Sequence, residues 1–156
     1  MGPSGKIAQK FFFDNPSLGI DFRKNVIILN KTPIHSPRTA DLRQLARMEP
    51  SLEKILRESQ IFMADILLEF QKALGVQIWI TGYSEMKKGG IFEAYTERLK
   101  EICKINEDFY EKLFIYRHFS MNQFTIDLKK QSLPKNSLKK NLNLIGCAYK
   151  KRILDY

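Results

Sequence analysis

Residues 51–75, SLEKILRESQIFMADILLEFQKALG, decide how the chain is read. Leu52, Ile55, Leu56, Met63, Ile66, Leu67, Phe70 and Leu74, with Ser59 among them, recur at three- and four-residue steps. Such spacing makes one apolar stripe along about seven helical turns, the pattern of a helix laid against a core. Ser51 is placed to cap the first turn, with Pro50 before it, and Gly75 to end the helix in a left-handed conformation. The rest of the chain reads as material that covers this helix.

After Gly75 the period changes. Val76, Ile78 and Ile80 alternate with Gln77, Trp79 and Thr81, which predicts a strand. Trp79 points to the opposite face and is expected to pack in the core or to meet a partner. A loop over 82–90 leads into a second long helix over 91–116, whose stripe runs from Phe92 through Leu99, Ile102 and Phe109 to Phe114. His118 is predicted to close that helix, where the dipole favours an imidazolium. Residues 121–128, MNQFTIDL, read as a third strand with Phe124 and Ile126 on one face. A basic linker over 129–137 is broken by Pro134. Asn136 or Ser137 caps a short helix that Gly146 ends, and 147–154, CAYKKRIL, form an edge strand blunted by lysines.

On the N-terminal side, residues 1–22 are a docked or flexible arm, and Phe11, Phe12 and Phe13 are too apolar to be left free. Residues 25–29, NVIIL, suit a buried strand. Two prolines make 32–37 an extended loop, and Thr39 or Ser36 opens a helix to about Met48. Thr32 and Ser36 each precede proline, a pattern that proline-directed kinases use but that is very common by chance, and a plain turn is the better reading of it. The sum is a single α+β domain over 1–156. Its two long amphipathic helices pack on a small mixed sheet of about four strands.

The 156 residues, 44% of them hydrophobic, suffice for one core. No apolar run reaches the roughly 18 residues of a membrane span, and the Phe11–Phe13 run is too short for a secretory signal. Cys103 and Cys147 are too few for a disulfide framework and fit no zinc spacing. Cys103 falls on an apolar stripe as a small buried side chain. A reducing intracellular compartment, cytoplasm or nucleus, in a cellular, viral or phage setting is expected.

The net charge of +9 is unevenly spread. Residues 1–50 carry eight Lys/Arg against four Asp/Glu, 51–117 ten against eleven, and 118–156 eight against two. A basic segment on a neutral scaffold points to a polyanion, with a lysine-rich solvated surface as the plainer reading.

Catalytic signals are weak. There is no P-loop, no G-x-G-x-x-G and no G-x-S-x-G. A magnesium nuclease would use a carboxylate and a lysine two apart on a strand; Asp127-Leu128-Lys129 stands on a predicted strand, and Glu85-Met86-Lys87 follows another. Composition alone supplies roughly two such pairs, and two are found. Pro50-Ser51-Leu52 followed by Gly75–Tyr83, GVQIWITGY, resembles the start of zinc D-alanyl and endolysin-type peptidases, in which a helix leads into a strand ending in a Gly-Tyr-Arg turn. Here Ser84 replaces the arginine, His118 and Asp127 do not keep the zinc spacing, and a C-terminal histidine has no counterpart. The resemblance implies architecture, and no metal or cofactor follows from it.

The remaining reading is a non-catalytic binding protein. Lys129, Lys130, Lys135, Lys139, Lys140, Lys150, Lys151 and Arg152 are candidate phosphate contacts, with Tyr149 beside them to stack a base. No base-reading motif accompanies them. The alternative is a protein partner held by Phe11, Phe12, Phe13 or Trp79.

Overall fold

In the computed structural model, which describes residues 2–34 and 39–154, the chain folds around a strand rather than around a helix. That strand is β2, Leu113–Tyr116, whose four residues Leu-Phe-Ile-Tyr are all buried. It pairs in parallel with β1, Ile78–Thr81, with Ile78 opposite Leu113 and Thr81 opposite Tyr116. Parallel neighbours need a crossover. Helices α5, Glu93–Ile105, and α6, Glu107–Lys112, supply it.

The expected four-strand sheet is not there. Among the described residues the sheet has two strands and the fold is mostly helical. Residues 26–30 pair with no strand and follow only a single helical turn, α2, Phe22–Asn25. Residues predicted as a third strand form the 3₁₀ turn Ser120–Asn122 and helix α7, Gln123–Gln131, which buries Phe124, Asp127 and Leu128 at helical spacing and leaves Ile126 exposed. The expected last strand is the second half of α8, Leu138–Leu154. Its buried positions Leu142, Ile145, Gly146, Tyr149, Lys150 and Ile153 repeat every three or four residues.

Gly146 does not end this helix. A Cβ there would stand 2.7 Å from Tyr116 Oη and 2.9 Å from Phe114 Cβ, so its missing side chain is what lets α8 lie against β2. The second long helix is broken where Asn106 turns its side chain back to the Ile102 carbonyl (3.1 Å), and the apolar run 113–116 leaves it as strand β2. A strand covered on both faces is continuously apolar, which is why this run also fitted the end of a helical stripe.

The long helix α4, Pro50–Leu74, matches its prediction almost to the residue. Its cap differs: Glu49 is the N-cap, accepting from the Ser51 backbone N–H (3.3 Å) and hydroxyl (2.7 Å). Gly75 ends it with φ of 62°, donating to the Gln71 carbonyl at 2.8 Å. Helix α3, Thr39–Met48, packs on α4 through Leu42, Ala46 and Leu56. His35, Ser36 and Arg38 lie outside the described residues.

The N-terminal arm is helix α1, Pro3–Asp14, and it is docked. Phe11 and Phe12 are buried, with Phe11 5.0 Å from the Phe124 ring and Phe12 5.5 Å from Trp79, while Phe13 is 83% exposed. Trp79 sits 4.9 Å from Tyr116, so its face of β1 belongs to an aromatic core. Cys103 and Cys147 are half-buried.

Candidate nucleic-acid interface

Between Leu128 and Leu154 the sequence has eight Lys/Arg and no Asp or Glu. The structure turns this run into two helices meeting at a corner. Helix α7 ends with Lys129 and Lys130 in its last turn, where cations complement the carbonyl end of the helix. Residues 132–137 are not a loose linker. Asn141 grips them, accepting from the Leu133 N–H (3.0 Å) and the Asn136 amide (3.3 Å) and donating to the Leu133 carbonyl (3.2 Å). Ser137 Oγ accepts from Lys140 N–H (3.3 Å) and caps α8, as predicted.

This corner carries Lys129, Lys130, Lys135, Lys139 and Lys140, all exposed. Lys151 and Arg152 are exposed in the last turn of α8. Lys140 and Lys151 are three turns apart on one outward stripe, about 16 Å along the axis, with half-exposed Leu144 between them. None of these seven side chains has an ion-pair partner among the described residues, whereas Lys10, Arg43, Lys72, Arg98 and Lys112 elsewhere do.

Two predicted contacts are not on this surface. Tyr149 is buried, its ring stacked on Tyr83 at 4.5 Å. Its hydroxyl donates to both Asp127 oxygens (2.9 Å each) and accepts from the Gln131 amide (2.8 Å). Burial raises the Tyr149 hydroxyl above its ordinary pKa, so it stays a donor to the carboxylate. It cannot stack a base. Lys150 is also buried: Nζ donates to the Tyr110 carbonyl (2.6 Å) and lies 4.0 Å from the Tyr110 ring centroid. Both residues fasten α8 to the core. With α8 read as a strand, their inward direction was invisible; at helical spacing they fall in line with Leu142 and Ile145.

The nuclease reading loses its setting. Asp127 is on a helix, held by Tyr149, Gln131 and Arg117 (3.3 Å), and Glu85 is bound to Arg43 (2.5 Å) in the 3₁₀ turn Tyr83–Met86. Among the described residues no three His, Cys, Asp or Glu stand close enough to hold a metal ion. His118 follows β2 rather than closing a helix; Nδ1 accepts from the Ser120 N–H at 3.1 Å and stands 2.7 Å from Ser120 Oγ. Of the aromatic contact surface only Phe13 stands clear of the core, since Phe11 and Phe12 are buried and Trp79 is half-buried.

Sequence reading passed over one feature altogether. A cleft of about 460 Å³ lies between α1, residues 25–29, the end of α4 and β1, with His118 among the residues that line it. Lys31, which no motif marks and which does not itself line the cleft, donates to the carbonyl of Thr81, a residue that does (2.6 Å). The signal available was the apolar run 26–29, which found no strand to pair with.

Comparison with protein-family models, with curated proteins and with solved structures returns no match. No helix of the described residues is long and apolar enough to cross a membrane.

Proposed function

We propose that this chain binds nucleic acid without catalysis, through phosphate contacts from the α7–α8 corner and the outward stripe of α8. One observation carries the reading: seven exposed cations in a stretch free of acidic residues, none of them neutralised within the described structure. Elsewhere lysines and arginines are repeatedly matched by carboxylates, so this surface is electrostatically incomplete. Its contacts are to phosphates, so binding is indifferent to base sequence. A chain with only two cysteines fits a reducing intracellular compartment.

The test is binding to a mixed-sequence oligonucleotide, single- and double-stranded, over a salt series. Affinity should fall log-linearly with salt; five phosphate contacts correspond to a slope of about −4. Reversing Lys139, Lys140, Lys151 and Arg152 to Glu should lower affinity at least about a hundredfold with the fold intact. Lys150→Met should leave binding unchanged. No binding at low salt, or full binding by the reversed variant, overturns the reading.

A further inference from the structure

The exposed cations of α7 and α8 fall into two groups. Lys129, Lys130, Lys135, Lys139 and Lys140 gather at the corner, and Lys151 and Arg152 stand in the last turn of α8. Between the groups the open face of α8 carries no charge: Asn143, Leu144 and Ala148 are its exposed side chains, with half-buried Cys147 among them. Helical spacing puts Leu144 and Cys147 on the line from Lys140 to Lys151, with Asn143 on one flank and Ala148 on the other. The face is thus a narrow uncharged ridge, about 16 Å long, with cations at both ends.

Single strands and duplexes both offer phosphates, and they differ in what else they present. A single strand exposes its bases, and proteins that hold one supply aromatic rings on which successive bases stack. Between Leu128 and Leu154 the chain has a single aromatic residue, Tyr149, and it is turned inward onto Tyr83 at 4.5 Å. The exposed phenylalanines Phe13, Phe62 and Phe70 stand on α1 and α4. A duplex keeps its bases stacked on one another and presents phosphates at regular spacing. The cations of this surface are held at fixed spacing too. Tyr149 and Lys150 fasten α8 to the core, and Asn141 holds the corner through the Leu133 N–H (3.0 Å) and carbonyl (3.2 Å).

The major groove of B-form DNA is about 12 Å wide and admits an α-helix. A helix crossing between its two strands needs an uncharged middle over the base edges and cations toward its ends for the phosphate rims. The ridge of α8 has that profile, and flexible lysine stems cover the remaining reach to either rim. The major groove of double-stranded RNA is deep and narrow and is closed to such a helix. We propose, resting on the phosphate-binding reading, that the polyanion is duplex DNA and that α8 seats in its major groove. The corner lysines lie on the phosphates of one strand, and Lys151 and Arg152 on those of the other.

The test uses the full chain and three probes of one mixed sequence about two helical turns long: a DNA duplex, its single strand, and the RNA duplex. At low salt the DNA duplex should bind at least about tenfold more tightly than either of the others. Replacing Lys151 and Arg152 together by Gln should make the salt slope on the DNA duplex shallower by about 2. Ala148→Trp puts an uncharged, bulky ring on the exposed flank of the ridge, where the fold tolerates it. It should lower duplex affinity at least about tenfold and leave the single strand bound as before or better, because the cations are intact and an indole offers bases a face to stack on. A single strand bound as tightly as the duplex, equal affinity for the two duplexes, or duplex binding untouched by Ala148→Trp overturns the groove seating and leaves the phosphate reading standing. No binding to any of the three probes overturns both.

Discussion

Helix α8 buries eight of its 17 residues, whereas α4, longer and with the more continuous apolar stripe, buries four of 25. The residues that α4 does bury include Gln60 and Gln71. Gln60 donates to the Ile91 carbonyl (2.8 Å) and accepts from the Tyr95 N–H (3.1 Å), and Gln71 donates to Asp108 (2.7 Å). Ile55, Phe62 and Phe70 meanwhile remain 54%, 59% and 37% exposed. An apolar stripe states what a helix can bury. What it does bury depends on the neighbour: α8 meets a strand across a glycine that permits close approach, and α4 meets α5 across polar side chains that need their own partners. The outward faces differ accordingly: cationic on α8, and on α4 a mixture of both charges with exposed Ile55, Phe62 and Phe70 among them.

Matched truncations put that contrast to the sharpest test. Leu142 on α8 is 2% exposed and Leu74 on α4 is 52% exposed. Leu142→Ala should cost about 3 kcal/mol, the transfer of the lost carbons plus the cavity left against β2. Leu74→Ala should cost well under about 1 kcal/mol, because water already reaches the site. Denaturant unfolding measures both, and equal losses would erase the distinction between the helices.

The glycines of the two helices should separate in the same direction by less. At Gly146 an added Cβ meets the buried Tyr116 and Phe114, while at Gly75 nothing lies within 4 Å. Gly146→Ala should therefore destabilise by about 2 kcal/mol, overpacking outweighing the better helix propensity of alanine. Gly75→Ala should cost about 1 kcal/mol, from the left-handed backbone alone. The comparison breaks if Gly146→Ala stabilises the protein, for then α8 does not rest on β2 through that contact.

How far the sequence could be read follows the same divide. Helix α4 was legible because its period runs unbroken between Pro50 and Gly75, and β1 because alternation from Val76 to Thr81 follows a clear stop. Docking of Phe11 and Phe12 followed from apolarity alone. Helix α7 was not legible: in MNQFTIDL the pair Phe124–Ile126 satisfies a two-residue period as well as Phe124–Leu128 satisfies a helical one, and β-branched Thr125 and Ile126 favour the strand. Gly146 hid the length of α8, since a glycine that ends a helix and one that lets it approach a strand are the same letter. The basic surface was legible as charge, and five of its residues do meet at one corner. The inward aim of Tyr149 and Lys150 was not, because it exists only once α8 is continuous.

A buried lysine and a part-buried one give the smallest effect and the finest comparison. Lys150 and Lys31 each donate to one carbonyl at 2.6 Å and each has an aromatic ring beneath it. Lys150 lies on its ring at 4.0 Å, with Phe114 as a second, whereas Lys31 stands 5.3 Å from Phe92 alone. Burial lowers Lys31 from 10.5 to about 8. Between those values the unfolded chain holds a proton that the folded chain has released, so stability should rise with pH across that window. From pH 7 to 9 the gain is about 1 kcal/mol, before tyrosines that ionise more readily in the unfolded chain begin to oppose it. His118, the ionisable neighbour, is already neutral throughout this range, its own protonation having been pushed to lower pH. Lys31→Met should remove the rise while leaving the rest of the profile in place, and the difference between parent and variant isolates the one group. A parent whose stability is flat from pH 7 to 9 would mean that the Lys31 ammonium is solvated in the folded chain.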